Sequence, residues 1–227
     1  MNGSRALWLV VSFALSFVAG CNSSGGDQPS HDYVGKPEAT YAGLAGKHCA
    51  VMIWADWRTR TEYNQIQLDT GRLLTGKLEQ LLAPKEKDKE KKKDATETAP
   101  PATFLNPASV VRFQREHPDI AGIPITAVAP RLGVDRVIYV EFESFETQSP
   151  EAILLLKGSA KATLRVVEVD GSLAHVAFEE AGITAHYPPD APEGVVASDK
   201  VNIRSIYEGT LDLLTDKLAV RFAVEKK

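Results

Sequence analysis

The chain has 227 residues, with 26 Lys and Arg against 30 Asp and Glu, a formal net charge of −4. That balance excludes the basic footprint a nucleic-acid partner requires. The length suits one domain with a real core plus accessory segments.

The N-terminus opens with a single basic residue, Arg5, followed by an apolar run from Ala6 to Ala19 and then Gly20 and Cys21. A basic start, a short apolar stretch and small residues before a cleavage point describe a secretory signal peptide. The run spans 14 residues and contains Ser12 and Ser16. A membrane-spanning helix needs about 20 apolar residues, so this stretch is too short to be one. Val18-Ala19-Gly20-Cys21 resembles the lipobox of bacterial lipoproteins. The resemblance implies cleavage between Gly20 and Cys21 and an N-terminal lipid, palmitate included, on Cys21. Three acyl chains would make a permanent tether, since two already anchor stably. Asn22 follows the cysteine in place of the Asp that retains some lipoproteins at the inner membrane. That favours the outer membrane, with the protein facing the periplasm.

Residues 21–46 are rich in Ser, Gly, Pro and Ala and read as a flexible tether, with a coil reach of roughly 25–30 Å. The α/β domain is expected over residues 47–227. Cys49 to Trp54 is a short apolar run, read as a buried first strand. Cys49 has no partner for an internal disulfide and reads as a small apolar residue. Thr59-Arg60-Thr61-Glu62 has capping-box spacing. It predicts one long helix with Tyr63, Ile66, Thr70, Leu73, Leu74, Lys77, Leu78 and Leu81 at helical spacing, the apolar members facing a sheet. Gly71 and Gly76 weaken that helix unless close packing requires them.

Residues 84–101 form a charged, Pro-containing, disordered insertion. Its lysines are nearly balanced by acids, so its pull on an anionic surface is weak. Thr103-Phe104-Leu105 reads as a short edge strand. Asn106-Pro107 supplies an N-cap and a proline at the first helical position, with the helix ending before His117-Pro118. Thr126 to Leu132 reads as a short helix stopped by Gly133. Arg136 to Phe145 is the clearest strand, with Ile138, Val140 and Phe142 alternating with Tyr139, Glu141 and Glu143. Ala152 to Leu156 begins another extended stretch. Lys161–Val169 and Leu173–Glu180 flank an Asp170-Gly171 hairpin turn. Residues 181–198 read as a Pro-bearing loop. Asn202 caps a last helix with Ile203, Ile206, Thr210, Leu213, Leu214 and Leu218 inward.

The expected fold class is therefore α/β, with a single mixed β-sheet of about four to five strands packed with two long and two short helices. Leu132-Gly133-Val134-Asp135-Arg136-Val137-Ile138-Tyr139-Val140 resembles a segment of envelope lipoproteins in which a short helix ends at Leu-Gly and leads into a central strand. Leu164-Arg165-Val166-Val167-Glu168-Val169-Asp170-Gly171 resembles their next hairpin. The arrangement over about residues 47–223 is similar to the curli-secretion channel subunit and the N-terminal domain of the Tol-Pal periplasmic protein. It is also similar to lipoproteins that activate peptidoglycan synthases and to auxiliary lipoproteins of transport systems. The lysine-rich insertion departs from that pattern. No stretch suits a channel's transmembrane hairpins, and the resemblance carries no catalytic residues to transfer.

No Gly-x-Ser-x-Gly, Walker loop or Gly-x-Gly-x-x-Gly is present. The five histidines lie apart, with no metal-ligand spacing, so neither a metal nor another cofactor is expected. Glu141 and Glu143 suggest paired acids, or a solvated sheet face partnered by Lys161 or Arg165. Trp54-Ala55-Asp56-Trp57 is the strongest interaction motif, because Trp is enriched in binding hot spots. Packing offers another role, Trp54 capping the core and Trp57 stapling the next helix. Tyr187, in His186-Tyr187-Pro188-Pro189-Asp190, is a second surface candidate or part of a rigid turn.

The expected function is a non-enzymatic, lipid-anchored envelope protein that binds or assembles an envelope protein partner through Trp54, Trp57 and Tyr187. The alternatives are a periplasmic carrier of a small ligand, and a cell-wall hydrolase whose acids include Glu141 or Glu143.

Overall fold

The hub of the fold is strand β1 (His48–Trp54), whose residues Cys49 to Ile53 are all buried. A strand covered on both faces needs a continuous apolar run, and Cys49-Ala50-Val51-Met52-Ile53 provides one. In the computed structural model, β2 (Thr103–Phe104) and β3 (Arg136–Gln148) flank β1, both parallel to it. Strands β4 (Leu155–Asp170) and β5 (Leu173–Tyr187) continue the sheet in antiparallel fashion. The order is β2-β1-β3-β4-β5, and a short β6 (Val195–Val196) pairs with the start of β4. The structure describes residues 41–83, 100–149, 154–198 and 201–223, all within one compact unit. The leader, Cys21, most of the tether, the charged run and residues 152–153 lie outside them. Among the described residues no helix is long and apolar enough to cross a membrane.

Helices cover both faces. Helix α1 (Trp57–Glu62) follows β1 and leads to α2 (Ile66–Leu82). On the other side of the sheet lie α3 (Pro107–Glu116) and α4 (Ile125–Val128), with 3₁₀ turns at Pro118–Gly122 and Ala129–Leu132. Helix α5 (Ile203–Ala219) packs beside α2. Side chains alternate along β1. Cys49, Val51 and Ile53 enter a core with Leu74, Leu78, Leu211, Leu214 and Leu218 of α2 and α5. Ala50 and Met52 enter a second core with Val110, Ile120, Val128 and Tyr139. The single mixed α/β sheet is as expected from the sequence, with one further short strand and helix.

Several elements differ from the sequence reading, each for a tertiary reason. Asp56, not Thr59, caps the first helix, accepting the Thr59 backbone N–H at 2.7 Å. The expected long helix breaks at Tyr63, whose ring sits edge-on to Phe145 at 4.8 Å and stacks on Tyr207 at 5.8 Å. Packing Tyr63 there outweighs continuing the helix. Leu81 and Ile203, expected inward, are exposed. The short helix before Gly133 ends as a 3₁₀ turn around Pro130, and Gly133 takes a left-handed φ of 66°.

Strand β4 is one long strand, where two separate pieces were expected. Strand β5 runs seven residues past its expected end at Glu180, into the predicted loop. Its register shifts at Ala177 and at Ala181–Gly182, where Gly182 has φ 73°. Each extra residue reverses the in–out alternation, so period-two reading fails there. Residues Tyr41–Gly46, assigned to the tether by composition, pack on the domain. Leu44 is buried, and the Tyr41 hydroxyl donates to Glu168 and receives from Arg136. Burial and the Glu168 bond push the Tyr41 phenol up to about 12.

Close approach of β4 to α5 depends on Gly158, where a Cβ would strike the Thr210 side chain. Gly76 in α2 has open space around its Cα hydrogen. Gly158→Ala is expected to destabilise by about 1–3 kcal/mol through overpacking, with partial rescue by Thr210→Ala. Gly76→Ala is expected to stabilise by about 0.5–1 kcal/mol. Urea-denaturation midpoints of the variants check both signs.

Candidate functional site

Strand β2 ends at Phe104, so β1 projects past it. Lys47 and Cys49 carbonyls accept from the β2 side, which turns the Ile53 carbonyl, two pairs further along, toward the same side beyond the strand's end. Two side-chain amides take the missing strand's place. Gln67 of α2 and Gln114 of α3 each donate Nε2–H to the Ile53 oxygen at 2.9 Å. One comes from each helical layer. Together they hold the exit of β1, from which Trp54, Ala55, Asp56 and Trp57 follow. Hydrogen bonds from the Thr59 backbone and hydroxyl hold the Asp56 carboxyl below the usual carboxylate range.

The two tryptophans sit differently. Trp54 is half-buried against the second core, with the Arg60 guanidinium 5.2 Å from its ring centre. Trp57 is 75% exposed at the first position of α1, and so does not staple that helix. Tyr187 lies elsewhere. It shares the sheet face of Ile183 and Ala185, and its ring rests against Gly209 of α5. The structure thus keeps Tyr187 apart from the tryptophan pair, in packing within the domain.

Beside Trp54 a half-open cleft of about 350 Å³ lies between the sheet and α4. Met52, Ile120, Ile125 and Val176 contribute apolar wall, and Tyr139, Glu141 and Arg165 line its polar side. The position follows from topology. The chain leaves β1 toward β2 on one side while β3 lies on the other, and ligands favour such a switch point at strand C-termini. Arg165 bonds Glu141 at 2.6 Å and Glu179 at 2.9 Å, with its guanidinium 6.0 Å from the Tyr139 ring centre. Burial pushes the Tyr139 phenol well up, so it remains a neutral donor.

Glu141 therefore joins Trp54 in one cleft, whereas Glu143 does not line it. Glu143 sits at a register shift of β3, bonded to Lys161 and to the Thr163 hydroxyl, both at 2.7 Å. The Lys161 bond, then Thr163, holds its carboxyl below the usual range. Lys161 and Arg165 are the cross-strand partners expected from the sequence. Burial pushes the Cys49 thiol up to about 12, consistent with an inert apolar role. Among the described residues no three His, Cys, Asp or Glu side chains converge as a metal site.

A second, more open groove of about 670 Å³ runs between the α1–α2 turn and α5. Tyr63 and Tyr207 form its floor, but both phenols already bond within the domain, to Thr147 and Asp69. Sequence reasoning missed this groove because Tyr63 and Tyr207 meet only through the tertiary fold. It also missed the cleft wall from Ile120 and Ile125, which no local spacing links to Trp54.

No protein-family model matches the chain. No curated protein matches it either. Among solved structures, the chain is similar to PelC from Paraburkholderia phytofirmans, a dodecamer, at 10% identity and a TM-score of 0.41, covering 82% of this chain and 95% of that one. It is similar to lipoprotein GNA1162 from Neisseria meningitidis at 10% identity and a TM-score of 0.37, covering 74% and 98%. A third similarity, to the hypothetical protein CT253 from Chlamydia trachomatis, has 12% identity and a TM-score of 0.32, covering 75% and 98%. Likeness at this level assigns neither family nor activity.

The paired amides on Ile53 generate a test. Gln114→Leu alone is expected to cost less than about 1 kcal/mol, because Gln67 still satisfies the carbonyl and the unpartnered Gln114 Oε1 is removed with it. Gln67→Leu/Gln114→Leu leaves a backbone acceptor without a partner and should cost about 1–3 kcal/mol more than the single changes sum to. A double-mutant cycle by urea denaturation measures the coupling.

Proposed function

We propose that this is a lipid-anchored protein of the bacterial cell envelope, facing the periplasm, whose domain is a non-enzymatic module for binding an envelope protein partner. Trp57 carries the reading. A large aromatic, 75% exposed, is held on a short helix whose cap and preceding strand are fixed by Asp56 and the two glutamines. Rigid, exposed tryptophan supplies contact area at low entropic cost, which suits an interface anchor. Arg58, also exposed, and Arg60 extend that surface with hydrogen-bond donors. The address rests on Val18-Ala19-Gly20-Cys21 after a short apolar run, and outer-membrane placement rests on Asn22.

The hydrolase reading has weaker support. A general acid needs a carboxyl kept protonated near neutral pH. Glu143 is held ionised by Lys161, and Glu141 is paired with Arg165.

Cys21→Ser should abolish labelling by radioactive palmitate and move the protein out of the membrane fraction. Persistence of both label and membrane association would remove the lipid anchor. For the interface, a photoreactive residue at Arg58 is crosslinked in cells, with and without Trp57→Ala. The expected result is a discrete crosslinked species reduced at least about tenfold by Trp57→Ala, with an unchanged circular dichroism spectrum. An unaltered crosslinking pattern would place the interface elsewhere.

A further inference from the structure

The Tyr139 side chain combines two properties that its role in the core does not require. It is 9% exposed, yet its hydroxyl hydrogen-bonds no other group among the described residues. It is also absent from the buried polar atoms cut off from solvent, so the oxygen opens into the cleft that the ring lines. The phenols of Tyr41, Tyr63 and Tyr207 each have a partner within the domain. The Tyr139 hydroxyl therefore presents a donor to the cleft, available to whatever occupies it.

The walls define what meets it. Met52, Trp54, Ile120, Ile125 and Val176 make the cleft mainly apolar. Its charged lining is the Arg165–Glu141 ion pair, with the guanidinium also held by Glu179. An entering anion would compete with two carboxylates for that guanidinium and be repelled by both. An entering cation would meet the guanidinium and have no unpaired carboxylate. The volume, about 350 Å³, lies at the small end of the range for small-molecule pockets.

We propose that this cleft binds a small, uncharged, mainly apolar molecule through an oxygen that accepts a hydrogen bond from Tyr139, with Trp54 as one wall. This is independent of the partner surface at Trp57. It adds a ligand-binding activity to the domain.

The test uses the mature chain with Cys21→Ser, which retains the whole compact unit Lys36–Lys227. 1-Octanol and octanoate share a chain length and differ in head charge. Each is titrated at pH 8 while the indole N–H signals of Trp54 and Trp57 are followed by nuclear magnetic resonance. The expected result is a saturable shift of the Trp54 signal with 1-octanol, at least about tenfold weaker binding of octanoate, and little change at Trp57. Tyr139→Phe keeps the ring and should weaken 1-octanol binding roughly threefold to tenfold. Val176→Glu, at the exposed mouth, should abolish the shift with spectral dispersion intact. Octanoate binding as tightly as 1-octanol would overturn the proposal. So would no saturable shift with either probe, or an affinity indifferent to Tyr139→Phe. Because Trp57 is untouched in these variants, failure here leaves the partner-binding surface standing, and the converse also holds.

Discussion

The structure depends on one backbone oxygen. The Ile53 carbonyl lies where the sheet's short edge strand has ended, and burying it unpaired would cost about 1–3 kcal/mol. Gln67 and Gln114 satisfy it from opposite helical layers. The same two bonds therefore close the end of the strand and tie α2 and α3 to a common point. Everything distinctive about the surface starts within four residues of that point. Trp54 turns into the cleft, Ala55 is buried, Asp56 caps α1, and Trp57 emerges into solvent.

At the other end of β1 the chain is held by charge. Asp135 accepts the His48 backbone N–H at 2.8 Å, and Arg136 pairs with Glu168 at 3.2 Å beside Tyr41. The Tyr41 ring also packs near Phe178 and Phe222, and its N–H bonds the Arg221 carbonyl. This end fastens the start and finish of the domain to the sheet. The cleft and Trp57 lie at the opposite end of the strand. Structural closure and the candidate binding surfaces are thus separated along β1.

The far half of the sheet follows a different logic. Beyond Glu141, strands β3 to β5 leave the cover of α4, and α5 packs on one face. Small residues permit that close packing, with Gly158 against Thr210 and Gly209 beneath Tyr187. On the other face, Glu141, Glu143, Lys161, Arg165 and Glu179 form cross-strand ion pairs. Partly exposed pairs of this kind contribute little stability. Arg165, held by two carboxylates, offers an incoming anion little. Tyr139, whose hydroxyl has no partner among the described residues, supplies a directional contact.

Much of the fold was legible because the signals were local. The apolar run at Cys49, the Asn106-Pro107 cap, the Asp170-Gly171 turn and the Asn202 cap each depend on neighbours a few residues away. Sequence alone therefore determined the α/β class, and it supplied the lipobox-like Val18-Ala19-Gly20-Cys21 motif and the suspicion attached to Trp54 and Trp57. It also offered Lys161 and Arg165 as cross-strand partners for Glu141 and Glu143, because residues on one face of neighbouring strands lie within reach of each other. Tertiary structure decided the rest. The helix break at Tyr63 comes from rings at Phe145 and Tyr207, far away in the chain. The length of β5 depends on register shifts that cancel the period-two pattern. Tyr187 turned inward because Gly209 leaves room for its ring. The cleft joins β1, β3, β4, β5 and α4, and no spacing along one segment encodes the meeting of five. Local chemistry specifies elements and their ends. Only packing determines which side chains meet.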